Sequence, residues 1–84
     1  SHVERELMLV KVKTSSETRE EIKRLSDIFR GKIIDVTDNS YVIEMTGASD
    51  KLDAFVNALD ESNIIETVRS GPTSMSRGEN GLHL

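Results

Sequence analysis

The chain has 84 residues, 15 acidic against 11 basic side chains, a net charge of −4, no cysteine, and only Phe29, Tyr41 and Phe55 as aromatics. That length argues for one domain, and a domain this small buries only roughly 60–65% of its unfolded surface, so its stability is modest. The composition excludes a disulfide framework and a thiolate metal site and fits a cytoplasmic setting. It supplies neither the positive field that nucleic acid requires nor enough rings to stack RNA bases. The longest apolar run, Leu7–Val10, is far too short to cross a membrane.

In chain order, Glu4–Lys13 reads as a first strand, with Met8, Val10 and Val12 on one face by the two-residue period. Its other face starts apolar at Leu7 and Leu9 and turns polar at Lys11 and Lys13. Thr14 with Glu17 fits a capping box, with Ser15 or Ser16 as the alternative N-cap. Ile22, Leu25, Ile28 and Phe29 form one helical stripe, and Gly31 suits the residue after the helix. Lys32–Thr37 and Tyr41–Thr46 are β-branched runs around Asp38-Asn39-Ser40, whose side chains favour a turn, so they predict a hairpin. On its core face Ile34 and Val36 are expected opposite Ile43 and Met45. Ser49 is a good N-cap for a helix over Asp50–Leu59, in which Leu52, Phe55, Val56 and Leu59 recur at helical spacing. Ile64–Arg69 reads as the last strand. Residues 71–84, rich in Gly and Ser, carry no periodicity and are expected to be a flexible tail.

The order β-α-β-β-α-β with right-handed crossovers predicts an α+β, ferredoxin-like domain over residues 1–70. It has a four-stranded antiparallel sheet of order 4-1-3-2 with both helices on one face. The uncovered face should be polar if it meets water. The predicted pattern instead gives it Leu7, Leu9, Ile33, Val42 and Ile65, among Lys11, Asp35, Glu44 and Thr67, and so makes these five a candidate interface. Arg69 and Arg77 are candidate contacts of the tail with a partner.

Catalytic and metal chemistry have weaker support. The carboxylate pairs Glu20–Glu21, Asp35–Glu44 and Asp50–Asp53 fit a solvated surface better than a cleft. His2 and His83 sit near the ends with no oriented nucleophile beside them. Gly71–Gly78 lacks the lysine and following helix of a phosphate loop.

Several strings in order resemble the C-terminal domain of the acetolactate (acetohydroxyacid) synthase regulatory small subunit. They are His2–Val12, Ile28–Val36, Thr46-Gly47 with Lys51–Phe55, and Val68–Gly71 followed by Ser76–Gly78. The resemblance implies a non-catalytic regulatory domain. It would support activation and feedback inhibition, typically by valine, of a catalytic subunit in branched-chain amino acid biosynthesis. That partner would carry the thiamine diphosphate, divalent metal (Mg) and FAD, with no cofactor in this chain. The resemblance also implies an N-terminal ACT domain as neighbour. No ACT-like segment precedes Val3, so no effector residue is carried over, and the chain is expected to be one domain of a longer subunit. A homodimer is compatible with the family. The setting is expected to be cytoplasmic, or a plastid or mitochondrion in a eukaryote. The alternative function is a free-standing ACT-like module that binds a small ligand such as an amino acid.

Overall fold

A computed structural model describes residues 2–79. The elements are β1 (His2–Lys13), α1 (Arg19–Ile28), β2 (Lys32–Val36), β3 (Ser40–Gly47), α2 (Ser49–Ala58), a 3-10 turn (Glu61–Asn63), β4 (Ile64–Arg69) and β5 (Thr73–Ser76). The main strands lie in the order β2-β3-β1-β4, every neighbour antiparallel. This is the expected ferredoxin-like layer, read from its other edge.

The core follows from two periods meeting. Met8, Val10 and Val12 of β1 and Tyr41, Ile43 and Met45 of β3 point to the helix side. Ile22 of α1 and Leu52, Phe55 and Leu59 at the end of α2 cover them, with Leu25, Phe29, Ile33, Val56 and Ile64 packed around. Phe29 and Phe55 join the two helical segments edge to face at 5.4 Å and 64°. Such a pair adds about 0.5–1.5 kcal/mol beyond its area burial. Ile28, expected in the buried stripe, is exposed.

Both edge strands carry a bulge, and each bulge reverses part of the expected facing. In β2 the pairing shifts between Ile33 and Asp35. Ile33 therefore stands opposite Ile43 and packs against the core instead of lying on the uncovered face. Ile34 falls at the shift and is exposed. Val36 returns to the side of Tyr41 but remains 63% exposed, because β2 is the sheet's edge. In β4 the shift falls opposite Lys11 and Val12, leaving Ile65 unpaired and exposed. Beyond it Glu66 faces Lys11 and Val68 faces Leu9 on the uncovered side, while Thr67 faces Val10. One extra residue inverts the parity of every residue after it.

The helix starts also depart from expectation. Thr18 is the N-cap of α1, and Ser15 and Thr18 bond each other's backbone N–H, which closes the turn upstream. The Thr14 hydroxyl is buried without a partner among the described residues instead of forming a capping box. Ser49 is the first residue of α2, and its hydroxyl donates to Glu6, not to the helix. After α1 the positive φ falls on Arg30 (60°). Gly31 is needed for a different reason: a Cβ there would lie 3.0 Å from Ile43 Cγ2 and 3.0 Å from Met45 Cε.

Thr73–Ser76, expected in the unstructured tail, forms β5 against His2–Arg5. Nothing in its own pattern announces a strand. Its pairing comes from β1, whose first residues run past the end of β3 and offer an open backbone edge. Gly71, at φ 80°, makes the turn from β4 into this ribbon. The expectation for residues 80–84, and the position of His83, lie outside the described residues.

Candidate functional site

The sheet face opposite the helices is where sequence and structure agree that something unusual is exposed. Leu7, Leu9, Lys11 and Lys13 of β1, Val42 and Glu44 of β3, and Glu66 and Val68 of β4 share it. Leu9 and Val68 are cross-strand partners, as are Lys11 and Val42. Leu7 is 43% and Val68 53% exposed, and Leu9 and Val42 are half-buried. Leu9, Lys11, Val42, Glu66 and Val68 line a hollow of about 140 Å³. Lys11 Nζ and Glu66 Oε1 pair at 3.3 Å beside it, which leaves a small aliphatic floor with a neutral charged rim.

Of the five residues expected here, the structure brings Leu7, Leu9 and Val42 together. Ile33 lies under the helix layer, and Ile65 sits at the β4 bulge on the sheet edge. Val68 joins the face unpredicted. Unbroken alternation from Ile64 puts Val68 inside, and only the bulge turns it out.

On the helix side, Arg69 is held by the fold itself. It stands opposite Met8, so its side chain reaches over the end of the core. Nε bonds Glu6 Oε1 at 2.8 Å and Nη2 bonds Glu6 Oε2 at 2.9 Å, and Nη1 pairs with Asp53 of α2. Nη2 also donates to the Ser49 carbonyl at 3.3 Å, and the Ser49 hydroxyl donates to Glu6 Oε2 at 2.7 Å. Glu6 is 5% exposed. The Arg69 guanidinium, then the Ser49 hydroxyl, hold its carboxyl down to about 2, and the two carboxylates raise Arg69 in turn. This fork joins β1, α2 and β4, so Arg69 serves as a clasp within the fold. Arg77 follows β5, exposed, with no ion pair among the described residues.

Among the described residues no group of three or more His, Cys, Asp or Glu could hold a metal ion. No described helix is long and apolar enough to cross a membrane. A carboxylate ionised as firmly as Glu6 neither takes nor gives a proton near neutrality.

The family described as "Small subunit of acetolactate synthase" matches residues 5–78. The chain belongs to the acetolactate synthase small-subunit family. Within it, this chain is a C-terminal-type domain. It is 54% identical over 82 residues to the acetolactate synthase small subunit of Haemophilus influenzae, covering 96% of this chain and 50% of that one. It is 50% identical over 80 residues to the isozyme 3 small subunit of Escherichia coli, covering 94% and 49%. A chloroplastic small subunit of Arabidopsis thaliana is 44% identical over 80 residues, covering 95% of this chain and 17% of that one.

The crystal structure of the acetolactate synthase small subunit from Thermotoga maritima superposes with a TM-score of 0.89 at 44% identity, over 94% of this chain and 48% of that one. The chain therefore spans about half the length of the bacterial small subunits it matches. The matched region contains the fork residues Glu6, Asp53 and Arg69 and the face residues Leu7, Leu9, Val42 and Val68.

Proposed function

We propose that this domain is the non-catalytic, regulatory part of an acetolactate synthase small subunit, and that its uncovered sheet face docks on the catalytic subunit. The observation that carries the reading is the row Leu7, Leu9, Val42 and Val68 on a face that no part of the described chain covers. Aliphatic side chains clustered on a small exposed face favour a protein partner over water. The names of the relatives supply the partner's class: a small subunit implies a large one.

In this reading, reaction chemistry belongs wholly to the catalytic subunit, with its thiamine diphosphate, magnesium and FAD. This domain acts by binding one state of that subunit better than another, which raises its activity and passes on feedback by valine or a similar effector. The effector site lies in a neighbouring ACT domain. The setting is the bacterial cytoplasm, or a plastid in a plant.

A calorimetric titration into the cognate catalytic subunit tests the docking face. Val68→Asp and Leu9→Asp should each weaken binding by at least tenfold, while Lys23→Ala on the outside of α1 leaves it unchanged. Circular dichroism confirms that each variant is folded. Full-strength binding by a folded Val68→Asp variant would remove this face as the site.

A further inference from the structure

The ribbon of β1 and β5 is the part of the fold that its own chain supports least. β5 pairs with β1 alone, over His2–Arg5, and all four of its side chains are exposed. Val3 and Met75 are cross-strand partners, so their side chains share one face of the ribbon. Val3 is 46% exposed, and Met75, at 76%, is the most exposed large hydrophobic among the described residues.

Strand alternation puts Val3 on the same side of β1 as Leu7 and Leu9. The two apolar groups are nonetheless separate. Arg5, exposed and opposite Thr73, stands between them and makes no ion pair among the described residues. Its guanidinium turns back to the neighbouring Glu4 carbonyl, at 2.7 Å. Val3 and Met75 are therefore an apolar pair of their own, bordered by polar side chains.

What covers a pair this small is decided by what is held beside it. The chain is a C-terminal-type domain and spans about half the length of the bacterial small subunits it matches. In such a subunit the other half enters this domain at β1, and the first residues it meets, His2 and Val3, belong to the ribbon. A half tethered by a short linker is present at an effective concentration of roughly millimolar, so even a small contact can hold it. A second copy or a catalytic subunit has no such tether at this position. We propose that Val3 and Met75 pack against the half of the small subunit that precedes this domain, so that the ribbon sets how that half sits relative to the uncovered sheet face. The proposal goes beyond the docking reading and uses none of Leu7, Leu9, Val42 and Val68, so either can fail alone.

The test is NMR of methyl-¹³C-methionine in this chain and in the whole small subunit, with a soluble gadolinium chelate as the probe of exposure. Met8 and Met45 are buried in the core and serve as internal controls. The Met75 methyl should broaden strongly in the chain alone and several-fold less in the whole subunit, with Met8 and Met45 unaffected in both. The amides of residues 2–5 should exchange about tenfold more slowly in the whole subunit. Met75→Asp should return that exchange to the rate of the chain alone, yet change it little in the chain alone, where Met75 already faces water. Equal broadening of Met75 in the two proteins would overturn the proposal, as would an equal effect of Met75→Asp in both. Protection lost on dilution would overturn it in favour of a second copy. Protection gained only on adding the catalytic subunit would overturn it in favour of that partner.

Discussion

Arg69 and Glu6 meet as a two-pronged fork, 2.8 Å and 2.9 Å between paired atoms, although 63 residues separate them in the chain. The fork ties the last main strand to the first and, through Asp53 and Ser49, to the start of α2. Removing Arg69 leaves the Glu6 carboxylate, 5% exposed, without its counter-ion, whereas removing the Glu6 charge leaves Arg69 still paired with Asp53. Arg69→Ala should therefore lower the melting temperature markedly. Glu6→Gln, which keeps the shape and part of the hydrogen bonding, should lower it less. Thermal melts of the two variants give the order, and the reverse order would contradict a charge-paired clasp.

The same fork sets an acid limit. The Glu6 carboxyl sits at about 2 in the folded chain, against an ordinary value of 4.5. A group depressed on folding contributes stability that is fully present above its unfolded value and is lost as pH falls through its folded one. Stability should therefore drop between pH 4.5 and 2. Glu21, lowered by Arg24, and Asp60, lowered by the Ser62 hydroxyl and N–H, act in the same direction. Urea midpoints measured across this range should fall less steeply in Glu6→Gln than in the parent.

Gly31 and Gly47 make a controlled comparison. A Cβ at Gly31 would press on Ile43 and Met45 at 3.0 Å each and on Ser26 Oγ at 3.1 Å, all of them buried. Gly31→Ala should cost about 1–3 kcal/mol, the usual range for overpacking. A Cβ at Gly47 would approach Lys51 Cδ at 2.8 Å, but that is the middle of a flexible side chain that can swing away. Gly47→Ala should cost less than Gly31→Ala, because a lysine side chain yields more readily than the packed Ile43 and Met45. Chemical denaturation of both variants decides the comparison.

These outcomes also show what could be read without coordinates. The strand order, both amphipathic helices and the facing of β1 and β3 follow from unbroken periods: Met8, Val10 and Val12 alternate, and Leu52, Phe55 and Leu59 recur on one helical stripe. Edge strands are harder. The bulges at Ile34 and Ile65 leave no mark in an alternating pattern, yet they move Ile33 inward and Val68 outward. Arg69 was legible as a salt-bridging residue, but its partner Glu6 is 63 residues away, so pairing within the fold was not. β5 is set by an open edge of β1 and not by its own residues.

The ribbon of β1 and β5 should accordingly contribute little to global stability. All four β5 side chains are exposed, and a two-stranded ribbon this short is marginal in water. Deleting residues 73–84 should shift the urea midpoint only slightly while amide exchange speeds up at residues 2–5. A large loss of stability would mean that the ribbon supports the core.

The docking face is tested most directly by methyl cross-saturation NMR on the labelled domain bound to its catalytic subunit. The account predicts loss of signal at the methyls of Leu7, Leu9, Val42 and Val68, with Leu25 and Val56 on the helix side unaffected. Saturation of Leu25 and Val56 while those four stay unchanged would contradict it.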